Sequence, residues 1–171
     1  MPAVLELDNR RPITYSSALR KDENIINRVA YGAAQAKLYQ DLWAKRESIE
    51  GLVRHHLKAG KQDICVVQPE SQWIQGNFNV CIPVQLQSNG LVKKLMLRCA
   101  MPHKLAEARY PGTVDEKLRC EVATRAWLHD RCSDIRIPHL YGFGFCDNRH
   151  FIHEALLCRR AGFLWLLVGL A

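Results

Sequence analysis

No Cys-x-x-Cys pair occurs in the sequence, and its seven cysteines, Cys65, Cys81, Cys99, Cys120, Cys132, Cys146 and Cys158, are odd in number. That argues against a disulfide framework and against a thiolate zinc site, and leaves small buried hydrophobes in a reducing compartment as their role. His-Glu-x-x-His is absent as well. His150 and His153 stand three apart on an expected strand and so point to opposite faces, and no metal site is expected. The longest apolar run, residues 161–171, falls short of the roughly 20 residues of a membrane span. Residues Met1 to Arg11 lack the apolar core of a signal peptide, so a cytoplasmic protein with no membrane partner is expected. There is no long basic run, although the formal net charge is +7. Its cations are scattered, as on a solvated surface. Lys93 and Lys94 have no interleaved aromatics of the kind a single-strand nucleic-acid platform needs, so a basic nucleic-acid-binding domain is the least favoured reading.

With 48% hydrophobic and 24% charged residues, the chain has the composition of a folded domain. Residues 1–24 carry no clear period and read as an N-terminal arm. Over residues 25–60 Ile25, Ile26, Val29, Leu38, Leu42, Ile49, Leu52 and Val53 recur at spacings near three and four, which predicts one or two helices. Asn24 would cap the start, Gly32 would mark a break, Gly51 would weaken the pattern, and Gly60 would close the end. The period then changes to two: Phe78, Val80, Ile82, Val84 and Leu86 alternate with polar residues, Asn89-Gly90 signals a tight turn, and Leu95, Leu97, Cys99 and Met101 continue on a second strand. Pro83 would place the first of these at an edge or a bulge. Thr113-Val114-Asp115-Glu116 has the form of a capping box and opens a helix with a Val114, Leu118, Val122, Ala126 stripe and Trp127 beside it. Two further short strands follow around the turn Cys146–Arg149. Helices, hairpin, helix and hairpin in that order predict an α+β fold with an antiparallel sheet and one packed helix, preceded by N-terminal helices.

Three segments carry a resemblance. They are Trp73-Ile74-Gln75-Gly76-Asn77-Phe78-Asn79-Val80-Cys81-Ile82-Pro83-Val84, the helix Glu116-Lys117 through Glu121-Val122-Ala123-Thr124 to Trp127-Leu128, and Ile137-Pro138-His139-Leu140-Tyr141-Gly142-Phe143-Gly144. Together they resemble the aminoglycoside phosphotransferase family, protein-kinase-like enzymes, in its fungal-type branch. The likeness runs from about Ile25 to Glu154 and implies a kinase-like N-terminal lobe over residues 61–156, followed by an atypical apolar tail over 157–171.

The resemblance implies ATP as the bound cofactor. It places Gly76, Asn77, Phe78 and Asn79 in the turn that covers the phosphates, Arg98 where such enzymes carry the phosphate-pairing cation, and Glu121 as the carboxylate that orients it. Arg replaces the usual lysine, and one glycine stands where protein kinases have three. The local alternative for Glu121 is helix pairing with Lys117 or Arg125, four residues to either side. No aspartate follows Asp147, so the resemblance implies no catalytic residue in this chain, and magnesium only if a further lobe supplies its carboxylates. A truncated phosphotransferase-like protein with an unknown hydroxyl or amine acceptor is the leading reading. A non-catalytic nucleotide-binding or protein-interaction module is the other. The apolar tail is expected to be exposed and to favour self-association.

Overall fold

The computed structural model describes residues 4–7, 10–20, 29–132, 134–152 and 164–168. Asn24, His153, Glu154 and Cys158 lie outside them. The fold is α+β, built as two units divided between Leu42 and Trp43. In the first unit β1 (Val4–Leu7) pairs antiparallel with β2 (Arg10–Thr14), and the short helix α1 (Tyr15–Ala18) follows. A ladder of backbone hydrogen bonds needs no apolar period, which is why the aperiodic arm gave no sign of it. Helix α2 (Tyr31–Ala44) starts in this unit, and its last two residues, Trp43 and Ala44, belong to the second.

The second unit opens with α3 (Arg46–His56), separated from α2 at Lys45 rather than at Gly32, which lies inside the first turn of α2. Ile49, Val53 and His56 form its buried stripe. Its end is closed not at Gly60 but by Lys58, in the left-handed region at φ 50°. The N–H of Ala59 donates to Arg54 O at 2.9 Å and that of Lys58 to His55 O at 3.2 Å, the paired bonds of a Schellman end. The Arg54 side chain in turn donates to Gly60 O at 2.8 Å and to Asp63 O, so the loop is held by a cation at the helix end where the macrodipole favours one.

Seven strands make the sheet, in the order β3 (Ile64–Val67), β5 (Asn79–Ser88), β6 (Leu91–Ala100), β9 (Leu164–Val168), β7 (His139–Gly144), β8 (His150–Ile152), with β4 (Ile74–Gln75) also on β5. Asn89 at φ 49° and Gly90 at φ 75° make the two-residue turn between β5 and β6, as the Asn-Gly pair predicts. On one face of this hairpin Val80, Ile82 and Val84 sit opposite Cys99, Leu97 and Leu95, all buried. On the other face Cys81 sits opposite Arg98 and Pro83 opposite Met96. Burial pushes the Cys65 thiol up to about 11 and the Cys99 thiol up to about 12, as expected of cysteines used as small hydrophobes, whereas Cys120 is exposed.

Pro83 is not at an edge. It lies in an inner strand, between the stretches of β5 that β3 and β4 occupy. The N–H of Gln68 donates to Pro83 O at 2.9 Å, and proline has no N–H to return the bond. The indole Nε1–H of Trp73 supplies it instead, donating to Gln68 O at 2.9 Å. Trp73→Phe is therefore expected to lower stability by at least about 1 kcal/mol, the worth of one such bond, with the loss of the larger ring adding to it. Urea denaturation checks this; a midpoint equal to the parent's would show the indole donor to be dispensable.

Helix α4 (Thr113–Arg131) is capped differently from the capping-box expectation. Gly112 is the cap residue. The carboxylate of Glu107, from the preceding loop, accepts from the N–H of Gly112 at 2.6 Å, from the Thr113 hydroxyl at 2.7 Å and from the N–H of Val114 at 2.7 Å. Asp115 accepts from Cys146 N–H at 3.0 Å and ties the helix to the turn after β7. Val114 and Leu118 are buried, and Leu118 meets Leu140 with Val122, Phe143 and Phe145 around them. The stripe ends there: Ala126 is exposed and Trp127 is 59% exposed.

The tail departs most from expectation. Leu164–Val168 does not stand off the sheet. It forms β9, parallel to β6 through Leu95–Cys99 and parallel to β7 through His139–Gly144, inside an otherwise antiparallel sheet. Among the described residues no helix is long and apolar enough to cross a membrane.

Candidate functional site

Arg98 points away from the face that holds Val80 and Leu97 because strand side chains alternate. Glu121 projects from α4 on that side. The two meet: Arg98 Nη2 lies 3.3 Å from Glu121 Oε1, with both side chains about a quarter exposed. Lys117, one turn earlier on α4, pairs with the same carboxylate oxygen. Both pairings weighed from the sequence are thus present at once, and Glu121 is shared by a strand cation and a helix cation.

Lys117 also reaches back to the turn. Its Nζ donates to Asn79 Oδ1 at 3.3 Å, and Asn79 is buried. Asn79, Lys117, Glu121 and Arg98 therefore form one continuous polar chain from the start of β5 across α4 to β6. Lys117 is the member that sequence reading set aside as a local helix partner. Only the closeness of the β4–β5 turn to α4, a long-range contact, reveals its second role.

The turn itself is tight. Gly76 N–H donates to Asn79 O at 2.8 Å, leaving Asn77 and Phe78 at the corner, both exposed. A Cβ at Gly76 would lie 3.2 Å from Asn79 O, so a side chain there would crowd the turn. Glycine serves that close approach, and its N–H is spent inside the turn. The Phe78 carbonyl accepts from Met101 N–H at 2.8 Å, which anchors the corner to the end of β6. Among the described residues the N–H groups of Asn77 and Phe78 have no acceptor, so these are the donors the turn presents outward.

Beyond Glu121, an open cavity of about 380 Å³ lies between α4 and the segment before β7, lined by Glu121, Thr124, Arg125 and Leu128 of α4, by Arg98 of β6 and by Ile137 and Pro138. Burial lowers the pKa of Arg125 from its ordinary value, and the nearby charge of Arg98 adds to this.

Protein-family models, curated proteins and solved structures were all compared with the chain, and none matches.

Among the described residues no three His, Cys, Asp or Glu side chains are grouped to hold a metal ion. A second cluster escaped the sequence reading. The His56 ring lies 5.1 Å from that of His150 and 5.8 Å from that of His55, and His150 lies 5.5 Å from His55, centroid to centroid. His56 is 1% exposed, and its Nδ1 has no hydrogen-bond partner. A Cβ at Gly142 would overlap it, 2.2 Å from Nδ1. His55 and His56 sit adjacent in a helical stretch and His150 lies far along the chain, so no spacing rule could have joined them.

Proposed function

We propose that this chain is the nucleotide-side lobe of a kinase-like phosphotransferase of the aminoglycoside phosphotransferase type, with ATP phosphates taken by Arg98. The observation that carries the reading is the Arg98–Glu121 ion pair, a strand cation held by a helix carboxylate. In phosphoryl transfer such a pair aims a fixed charge at the phosphates, and arginine adds a planar fork for two parallel hydrogen bonds. The outward N–H groups of Asn77 and Phe78 suit phosphate oxygens as backbone donors. Lys117 supports Glu121 while Arg98 turns to its ligand. When bound with a nucleotide, magnesium would neutralise phosphate charge, using carboxylates other than Glu121.

Half a cleft buries little of a nucleotide. ATP is expected to bind with a dissociation constant on the order of 1 mM or weaker, about −4 kcal/mol. Arg98→Ala should abolish the binding, and Glu121→Ala should weaken it less, because the guanidinium keeps its charge and loses its orientation. Amide-shift titration with ATP checks this; shifts confined to α3, or equal affinity for Arg98→Ala, would refute the assignment. Because Asp147 is the last aspartate of the sequence, the chain by itself is expected to transfer no phosphate from ATP to a panel of hydroxyl acceptors. A non-catalytic binding module is the second reading. It is favoured by the use of the Gly76 N–H within its own turn, which leaves the phosphate grip thin.

A further inference from the structure

We infer that His55, His56 and His150 form an acid-sensitive latch: protonation of the cluster releases the outer strand β8 from α3 while the rest of the sheet stays folded. The latch shares no residue with the Asn79–Lys117–Glu121–Arg98 chain.

Strand β8 is weakly held. It ends the sheet, and among the described residues its ladder partner is β7 alone, through Gly142↔Ile152, Phe143↔Phe151 and Gly144↔His150. Near the turn the Phe145 N–H donates to Arg149 O at 2.8 Å. Alternation along an antiparallel ladder makes Phe143 and Phe151 the next hydrogen-bonded pair. An edge strand this short lies at the low-stability end of a fold. It meets α3 at His150, whose ring is 5.1 Å from that of His56 and 5.5 Å from that of His55.

His56 is the buried member of the cluster, whereas His55 and His150 are exposed. Its ring lies against Gly142 where a Cβ would stand, and the Phe151 carbonyl closes the same spot. Nδ1 makes no hydrogen bond there. The cavity of about 10 Å³ beside the ring is lined mainly by Val53, Leu57, Val84, Leu95 and Leu97. A water needs two to four polar partners, which these side chains do not offer. A neutral ring tolerates such a place. An imidazolium brings a charge and a donor at both nitrogens, and the place answers neither.

The groups around the ring offer no compensating charge among the described residues. Beside it on α3 stands His55; the Glu50 carboxylate accepts from Val67 N–H at 2.9 Å, and Arg54 donates to Gly60 O at 2.8 Å. From β5 comes Val84, and from β6 come Leu95 and Leu97, with Lys93 Nζ 5.6 Å from the Tyr141 ring centroid. From β7 comes the Tyr141 phenol, neutral in this range because burial raises its pKa. From β8 comes His150, and in the turn before it Asp147 is paired with Arg149 at 2.6 Å. Burial lowers the pKa of His56 to about 4, and the charges of His150 and His55 act the same way. The closed latch therefore binds a proton less readily than an open one. It is most secure above pH 6.5 and loosens as pH falls toward 4.

Relief comes most cheaply at β8. Lifting it breaks one short ladder, takes His150 and the Phe151 carbonyl off the ring, and admits water to Nδ1. Freeing His56 through β5 or β6 would break the longer ladders at the centre of the sheet. The open form leaves β7 as a bare edge able to pair with another strand, an edge offered chiefly in acid.

Hydrogen exchange of the full chain tests the latch, with rates corrected for the intrinsic effect of pH and measured in 0 to low urea. Local openings expose little surface and respond weakly to urea, whereas global unfolding responds steeply. The Phe151 amide should exchange about tenfold faster at pH 5.5 than at 7.5, with almost no urea dependence, while the amides of the β5–β6 hairpin keep a steep one. His56→Gln should remove the acceleration. His150→Gln, an exposed change, should reduce it and keeps the test open if His56→Gln fails to fold. A Phe151 amide as urea-sensitive as the β5–β6 amides overturns the inference, since β8 would then open only with the whole unit. So does an acceleration that is the same in the parent, His150→Gln and His56→Gln. Slower exchange in acid would mean that protonated His56 grips the Phe151 carbonyl and closes the latch, and would overturn it too.

Discussion

Deleting residues 161–171 is expected to destroy cooperative unfolding of the 43–171 unit. The deletion removes β9, which is hydrogen-bonded on both sides, to Leu95–Cys99 of β6 and to His139–Gly144 of β7. Without it β6 and β7 both become open edges, and the β7–β8 hairpin loses its ladder to the β5–β6 hairpin. Each ladder bond contributes about 0.5–1.5 kcal/mol net. A folded domain of this size is stable by about 5–15 kcal/mol, so losing two short ladders consumes most of that margin. Two new unpaired edges also invite intermolecular pairing. An exposed apolar tail would behave in the opposite way, and its removal would leave a better-behaved monomer. Urea unfolding followed by circular dichroism separates the two, with light scattering beside it. A truncated chain that unfolds at the parent's midpoint and stays monomeric would mean that β9 contributes nothing to the sheet.

Acidification from pH 6.5 to 4.5 is expected to cost about 3 kcal/mol of stability through His56. Burial pulls the pKa of His56 from 6.5 down to about 4, and the charges of His150 and His55 push it the same way. Among the described residues no acidic group adds to its shift; His55 lies beside it on α3 and His150 on β8, Gly142 abuts its ring, and Val53, Leu57, Val84, Leu95, Leu97 and Tyr141 line the small space beside it. The folded form thus binds a proton less readily than the unfolded form. Stability from His56 is fully present above pH 6.5, declines as pH falls, and is gone below about pH 4. At roughly 1.4 kcal/mol per unit, the two units between pH 6.5 and 4.5 give about 3 kcal/mol. Asp63 and Glu107 respond lower. The hydroxyl of Ser88 and the N–H of Gly60 hold Asp63 below its ordinary value of 3.8. At Glu107 burial acts upward, but the bonds from Gly112, Thr113 and Val114 outweigh it and hold the group below 4.5. The span between pH 6.5 and 4.5 therefore reports on histidine. Urea midpoints measured across it should fall steadily for the parent and stay nearly level for His56→Gln. Parallel slopes for the two proteins would assign the acid response elsewhere.

The elements that local pattern announces are those whose stabilising contacts lie close in sequence. The Asn89-Gly90 turn and the alternation of Val80, Ile82 and Val84 against Leu95, Leu97 and Cys99 are legible because a hairpin satisfies itself. The helix from Thr113 is legible for the same reason, but its cap is not. Glu107 lies in the loop before the helix and wins over Glu116 because its carboxylate meets three donors at once. Pro83 misled in a similar way. The rule that proline avoids inner strands assumes that the missing donor stays missing, and the Trp73 indole replaces it.

Of the candidate site, Arg98 and Glu121 were identified from their motif positions, and the structure brings them together. Lys117 as the bridge to Asn79, Arg125 in the cavity and the histidine cluster were not identified. Each depends on which face of the sheet a helix covers, and no residue carries that information alone.

By itself the sequence determined the α+β class, the central hairpin and the two faces of β6, because these follow from backbone chemistry and a period of two. Only the tertiary structure decided that residues 164–168 of the apolar tail become a parallel strand between β6 and β7, and that His55, His56 and His150 converge, with His56 against Gly142. A parallel strand takes its hydrogen bonds from distant partners, and a buried histidine takes its proton affinity from whatever surrounds it. Both are set by contacts across the chain.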